Sequence, residues 1–140
     1  MTVLNPGDRA HAAAAARLQD ELMIWLTTVS PSGQPQTSPV WFLWDGAEFH
    51  IYGSKDGPKT PNIKANPHVS LNLDGNGQGG GIVVFEGIAR IDADGPSPKD
   101  MPAYLAKYAD RISAYGWDAD KMARDYPHVI RVTPTRARIW

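Results

Sequence analysis

The sequence predicts a mainly β domain, a small antiparallel barrel with helices packed outside it. Three features of the chain point to it. Stretches rich in β-formers follow one another as hairpin neighbours across tight turns, at Ser30-Pro31-Ser32-Gly33 and at Asp45-Gly46, which excludes a doubly wound parallel sheet. Helical pattern is confined to a leading segment, a short piece between strands and an excursion late in the chain. Gly87 falls in the middle of the longest strand, 81–94, where a bulge or bend lets a sheet close on itself.

Taken in order, Asp8 is the N-cap of a helix over 9–22, in which Ala14, Ala15, Leu18 and Leu22 share one face. Residues 23–29 form a buried strand and 36–44 its partner. Pro39 removes a ladder donor from that partner, so it marks an edge, a bulge or a close approach to the backbone. Alternation puts Gln36, Ser38, Val40, Phe42 and Trp44 on one face and Thr37, Pro39, Trp41 and Leu43 on the other. A strand over 48–53 follows, then a helix over 59–65 stopped by Asn66-Pro67, then a strand over 68–74. Residues 75–81 are a glycine-rich tip before the long strand. Asp94-Gly95-Pro96 ends that strand, and Asp100 caps a helix with the apolar stripe Met101, Tyr104, Leu105, Tyr108 and Ile112, closing at Gly116. A short helix over 119–126, capped by Asp118, leads to two last strands, 128–133 and 136–140, joined by a turn at Pro134. There is no internal repeat or linker, so residues 1–140 form a single domain.

Composition narrows the function. A net charge of −1 gives no global field for nucleic acid or an anionic membrane. The absence of cysteine excludes disulfides, thiolate metal sites and cysteine nucleophiles. Apolar runs are too short to span a bilayer, and Asp8, Arg9 and His11 precede an alanine run with no leucine-rich core, so no signal peptide is expected. The expectation is a cytoplasmic protein with no membrane or nucleic-acid partner.

The stretch 51–67, IYGSKDGPKTPNIKANP, is where chemistry concentrates. It brings Ser54, Lys55, Lys59 and Thr60 beside the free N–H groups of a helix start, which suits a phosphate. A plain strand-to-helix connection with solvated lysines is the competing reading. Residues 75–80 spell G-x-G-x-x-G, but a strand follows instead of a helix, so they are no dinucleotide fingerprint. The four histidines lie in no metal-ligand spacing, and although His50 and His68 are possible cross-strand neighbours, they lack a third ligand. No activated nucleophile or catalytic acid or base stands out. Five tryptophans and five tyrosines exceed what so small a barrel hides, leaving some for a subunit interface or an aromatic pocket. A phosphate cradle beside aromatic strands suits an organic cofactor that brings its own reactivity.

Four segments carry a resemblance: G-Q-P-Q-T-S-P-V-W-F (33–42), K-T-P-N-I-K-A-N-P-H-V-S-L (59–71), F-E-G-I-A-R-I (85–91) and T-P-T-R-A-R-I-W (133–140). They resemble the flavin and deazaflavin oxidoreductases of the pyridoxamine 5′-phosphate oxidase-like superfamily, and within it the short branch that uses coenzyme F420. The resemblance implies an FMN-binding-type split β-barrel, an antiparallel Greek-key barrel, paired as a homodimer with cofactor sites at the interface. It implies coenzyme F420 as cofactor, with FMN the alternative, and hydride transfer from the reduced deazaflavin to a planar, electron-poor acceptor. An FMN-dependent oxidase or reductase, or a non-catalytic F420 carrier, are the other outcomes. By the same resemblance Lys59 and Thr60 meet the cofactor phosphate, Ser54 and Lys55 complete that pocket, Gln36 lies near the ring and its linker, and Gly80 and Gly81 approach the cofactor.

Overall fold

The computed structural model describes residues 3–140. Helix α1 (Arg9–Asp20) starts where the Asp8 carboxylate accepts from the N–H groups of Ala10 and His11, and it lays Ala14 and Leu18 on the sheet. Strands β1 (Ile24–Val29) and β2 (Pro35–Val40) form one hairpin, and β3 (Leu43–Trp44) and β4 (Phe49–Gly53) another. Helix α2 (Lys59–Ala65), β5 (His68–Asn72) and β6 (Val83–Ile91) follow. The excursion is a 3₁₀ turn (Pro98–Asp100), α3 (Pro102–Lys107), α4 (Ala109–Ala114) and α5 (Ala119–Asp125), and β7 (His128–Ile139) closes the chain.

All seven strands pair antiparallel in the order β2-β1-β5-β6-β7-β4-β3. β2 and β3 are opposite edges of that sheet, yet only Trp41 and Phe42 separate them in the chain. Three Cα–Cα steps span about 11 Å at most, so the sheet curls until its edges face each other. This is the split-barrel architecture. Its interior holds Leu26, Phe42, Trp44, Phe49, Ile51, Leu71, Phe85, Ile130 and Val132. A second cluster, Tyr52, Tyr104, Tyr108, Ile112, Met122 and Val129, lies under the excursion.

Pro39 sits on edge strand β2, as its missing donor requires, and Gly46 takes a positive φ of 95° in its hairpin turn. Gly87 marks a register shift against β7, where an added Cβ would stand 2.8 Å from Val132 Cγ1 and 3.0 Å from the Thr133 carbonyl oxygen. That shift corrects one expectation. The last two strands are a single β7, because Pro134 faces Gly87 at the bulge, where the missing N–H interrupts no regular ladder.

Two further corrections are breaks in expected elements. The strand expected over 36–44 breaks at Trp41-Phe42, and the helix after Asp100 breaks at Tyr108. The Tyr108 hydroxyl accepts from the Phe42 N–H (2.8 Å) and donates to the Leu22 carbonyl (2.8 Å), while Lys107 Nζ donates to the Phe42 carbonyl (2.9 Å). The backbone groups of Phe42 therefore bond to the excursion and not to a neighbouring strand. The two predicted faces survive the break: Phe42 and Trp44 enter the barrel, and Trp41 and Leu43 pack on the second cluster. Asp100 does not cap the helix; it accepts from Ser97 Oγ within the 3₁₀ turn, and Met101 occupies the cap without a side-chain bond. Among the described residues no helix is long and apolar enough to cross a membrane.

Candidate functional site

Strand β4 ends in Tyr52-Gly53 and hands the chain to Ser54. The turn folds back tightly, with the Gly57 N–H donating to the Ser54 carbonyl (3.2 Å), and an added Cβ at Gly57 would press to 2.4 Å from Ser54 Oγ. α2 then opens on Lys59 and Thr60. It has seven residues, and Pro58 at its cap offers no side-chain bond.

Lys59 is half-buried, and burial holds its ammonium below the usual lysine range. It has no hydrogen bond or ion pair with the described residues. Thr60 is 5% exposed, and among the described residues its Oγ1 is the buried side-chain polar atom without a partner. Gly53 packs close against it, and an added Cβ there would lie 3.3 Å from Thr60 Oγ1 and 3.1 Å from Ile130 Cδ1. Gln36 joins the same helix from β2, its Oε1 accepting from Asn62 Nδ2 (2.7 Å), which also donates to Thr28 Oγ1 (3.1 Å). Lys55 serves as a backbone staple: its N–H donates to the Asp125 carbonyl (3.0 Å) and its carbonyl accepts from His128 Nε2 (3.0 Å).

One chain thus gathers Gln36, Ser54, Lys59 and Thr60 around α2, with Lys55 alongside. It does not bring Gly80 and Gly81 there. α2 feeds the start of β5, whereas the glycine tract leaves beyond its far end, where the Gly81 carbonyl accepts from Arg17 of α1 (2.9 Å). The tract is a loop before β6, with no helix following it. His50 and His68 lie on the non-adjacent strands β4 and β5. His50 Nε2 donates to Asp45 (2.7 Å), and its Nδ1 accepts from Arg131 (3.0 Å). Among the described residues no three His, Cys, Asp or Glu side chains could share a metal.

Beside Ser54 and Lys59 opens a cavity of about 400 Å³. Pro39 and Trp41 of the sheet edge line it, together with Tyr104, Tyr115, Trp117, Met122 and Tyr126 of the excursion. Trp41 lies flat on Tyr108, ring centroids 4.4 Å apart and planes 3° from parallel, with Tyr115 and Trp117 6.4 and 6.1 Å away. Sequence reasoning placed Tyr104 in a core stripe and assigned Tyr115, Trp117 and Tyr126 no role; the aromatic density of 104–126 was the available signal. A shallower hollow on the outer face of the sheet, lined by Thr27, His68, Ser70 and Glu86, contains none of the candidate residues.

The sequence profile of pyridoxamine 5′-phosphate oxidase matches residues 10–140, nearly the whole barrel. The chain belongs to the pyridoxamine 5′-phosphate oxidase family. Among solved structures of this fold, an F420 reductase is 29% identical, with a TM-score of 0.63 over 88% of this chain and 94% of that one. The heme storage protein of Vibrio cholerae is 17% identical (TM-score 0.66, 94% and 95% covered), and an FAD-binding protein of Mesorhizobium loti is 19% identical (TM-score 0.60, 90% and 88% covered). The last two share the fold alone. A comparison with curated proteins returns no match.

The residues present fit a phosphate-bearing cofactor. An uncompensated ammonium and an unpartnered buried hydroxyl stand on successive residues, and Gly53 places no side chain against the hydroxyl. An anion there would meet a full positive charge and a hydrogen-bond donor already out of water.

Proposed function

We propose that this member of the family is an oxidoreductase that holds coenzyme F420 and reduces a planar, electron-poor organic acceptor, with FMN as the alternative cofactor. The observation that carries this reading is the Lys59 ammonium on the wall of an aromatic cavity, next in the chain to Thr60, whose buried Oγ1 has no partner. The 29% identity to an F420 reductase supports the choice of deazaflavin. When bound, the reduced cofactor supplies the hydride. The chain's own residues bind, orient and exclude water. Lys59 gives charge to the phosphate, Thr60 and Ser54 donate hydroxyl hydrogen bonds to it, and Lys55 fixes the turn that presents Ser54. Gln36, held by Asn62, faces the remainder of the cofactor. The excursion shields the cavity from water, which strengthens every polar contact inside it.

Gly80 and Gly81 complete this site only from a second copy, since one chain keeps them at the far end of β5; a homodimer with interfacial sites is part of the proposal. So is a cytoplasmic location. Titration with oxidised F420 and with FMN tests the reading. F420 is expected to bind in the micromolar range and Lys59→Ala to weaken it at least tenfold, the scale of a lost charged hydrogen bond. Binding of FMN alone, or an unchanged affinity in folded Lys59→Ala, overturns it. Turnover with a panel of quinones separates an enzyme from a carrier.

A further inference from the structure

Three tyrosines form one cluster under the excursion, with ring centroids 4.9 Å apart for Tyr52 and Tyr104 and 5.1 Å for Tyr104 and Tyr108. Two of their hydroxyls are engaged by the fold: Tyr52 donates to the Pro96 carbonyl (3.0 Å), and Tyr108 to those of Leu22 and Phe42 (2.8 and 3.1 Å). Tyr104 differs. It is 2% exposed and lines the cavity, and its hydroxyl has no hydrogen-bond partner among the described residues. That oxygen is not sealed from the cavity, so the hydroxyl is free to donate to an acceptor bound there. Burial raises Tyr104 far above the usual phenol range, so it stays a donor throughout the physiological pH range.

Other groups of the wall also donate, beside the hydroxyls of Ser54, Tyr115 and Tyr126, which both donate and accept. The indole N–H groups of Trp41 and Trp117 only donate, as does the Lys59 ammonium, and no carboxylate lines the cavity. The Lys59 charge disfavours a cation there and favours an acceptor oxygen. The flat Trp41–Tyr108 stack favours a flat ring, and about 400 Å³ is within the range of small-molecule sites.

We infer that this cavity binds a planar ring carrying a carbonyl oxygen, and that Tyr104 donates the hydrogen bond that orients it, an assignment that rests on the proposed oxidoreductase function and names its acceptor class. Tyr104 is a positioning residue for that carbonyl. Tyr115, more than half exposed on the rim, supplies stacking area.

Calorimetric titration of the purified protein, without added cofactor, compares 2-methyl-1,4-naphthoquinone with 2-methylnaphthalene, which has the same ring outline and no carbonyl. Wild type is expected to prefer the quinone. Tyr104→Phe is expected to lose about three- to tenfold in quinone affinity, the scale of one hydrogen bond, and nothing for the hydrocarbon. Tyr115→Ala is expected to weaken both. An unchanged quinone affinity in Tyr104→Phe, or an equal loss for both probes, overturns the assignment. If Tyr104→Phe does not fold, equal affinity of wild type for the two probes overturns it. F420 titrated into the same variants keeps the two readings apart. A loss of F420 affinity in Tyr115→Ala as large as that of the quinone gives the cavity to the cofactor and refutes the acceptor site, with the F420 reading intact. Quinone preference in a protein that binds no F420 refutes the cofactor instead.

Discussion

Replacing Thr60 by valine is expected to make the ligand-free protein more stable and its ligand weaker. The side chain is 5% exposed and its Oγ1 has no partner, so the folded protein carries a desolvated hydroxyl that the unfolded chain returns to water. An unmet buried hydroxyl costs about 1–3 kcal/mol. Valine keeps the shape, the β-branching and nearly the same helix propensity, so the backbone of α2 has no reason to move. The expected gain is about 1–2 kcal/mol. Urea unfolding reads it directly: with a slope of about 2 kcal/mol per molar, the midpoint rises by about 0.5–1 M at unchanged slope. Cofactor affinity should fall in the same variant by about tenfold or more, because the lost bond has a charged acceptor. A midpoint that stays level or drops would mean that Thr60 is satisfied in the free protein. A gain in stability with unchanged affinity would remove Thr60 from the site.

Two further outcomes test the frame around the cavity. Gly87→Ala drives a Cβ to 2.8 Å from Val132 Cγ1 and 3.0 Å from the Thr133 carbonyl, so overpacking at the bulge should cost about 1–3 kcal/mol; a melting temperature equal to wild type refutes this. Lys107, pressed over the Phe42 ring, has its ammonium lowered by burial to about 8 from 10.5. Between those values the unfolded chain binds a proton that the folded one lacks, so stability rises with pH across that window. Lys107→Met should flatten that rise when urea midpoints are compared at pH 7.5 and 9.5, and parallel pH dependence in the two proteins refutes it. The buried tyrosines oppose the trend only above pH 10, since Tyr52 is pushed up to about 12.

Much of the fold was legible because it rests on local backbone chemistry. Asp8 caps α1, Gly46 turns a hairpin, Pro39 falls on an edge and Gly87 takes a bulge, each for a reason contained within a few residues. The errors came from contacts distant in sequence. The Tyr108 hydroxyl reaches 66 residues back to the Phe42 N–H, and that bond takes the Phe42 backbone out of a strand that periodicity alone would run through. Pro134 reads as a breaker until the bulge opposite it is known. The site divides in the same way. Ser54, Lys59 and Thr60 were legible because a single tight turn joins them. Tyr104 shows an ordinary helical stripe, and only the closure of the excursion over the sheet decides that its hydroxyl faces a cavity.

Elsewhere the buried polar groups are matched: Thr28 takes a bond from Asn62, and His50 is held between Asp45 and Arg131. Among the described residues the one buried side-chain polar atom left unmet is the Thr60 hydroxyl, and the Lys59 ammonium and the Tyr104 hydroxyl, which line the cavity beside it, have no partner in the fold. On the proposed function, a sequence that leaves these three together is adapted to a ligand at that place. Their neighbours also divide rigidity from choice. Trp41 is fixed, since it lies on Tyr108 beside Phe42, whose backbone is tied to Tyr108 and Lys107. Tyr115 and Trp117 flank Gly116, at a φ of 68°, and Tyr115 is largely exposed. Changes at Trp41 are therefore expected to disturb the barrel's own seam, whereas changes at Tyr115 and Trp117 are expected, on the proposed function, to alter which ring binds and to leave that seam in place.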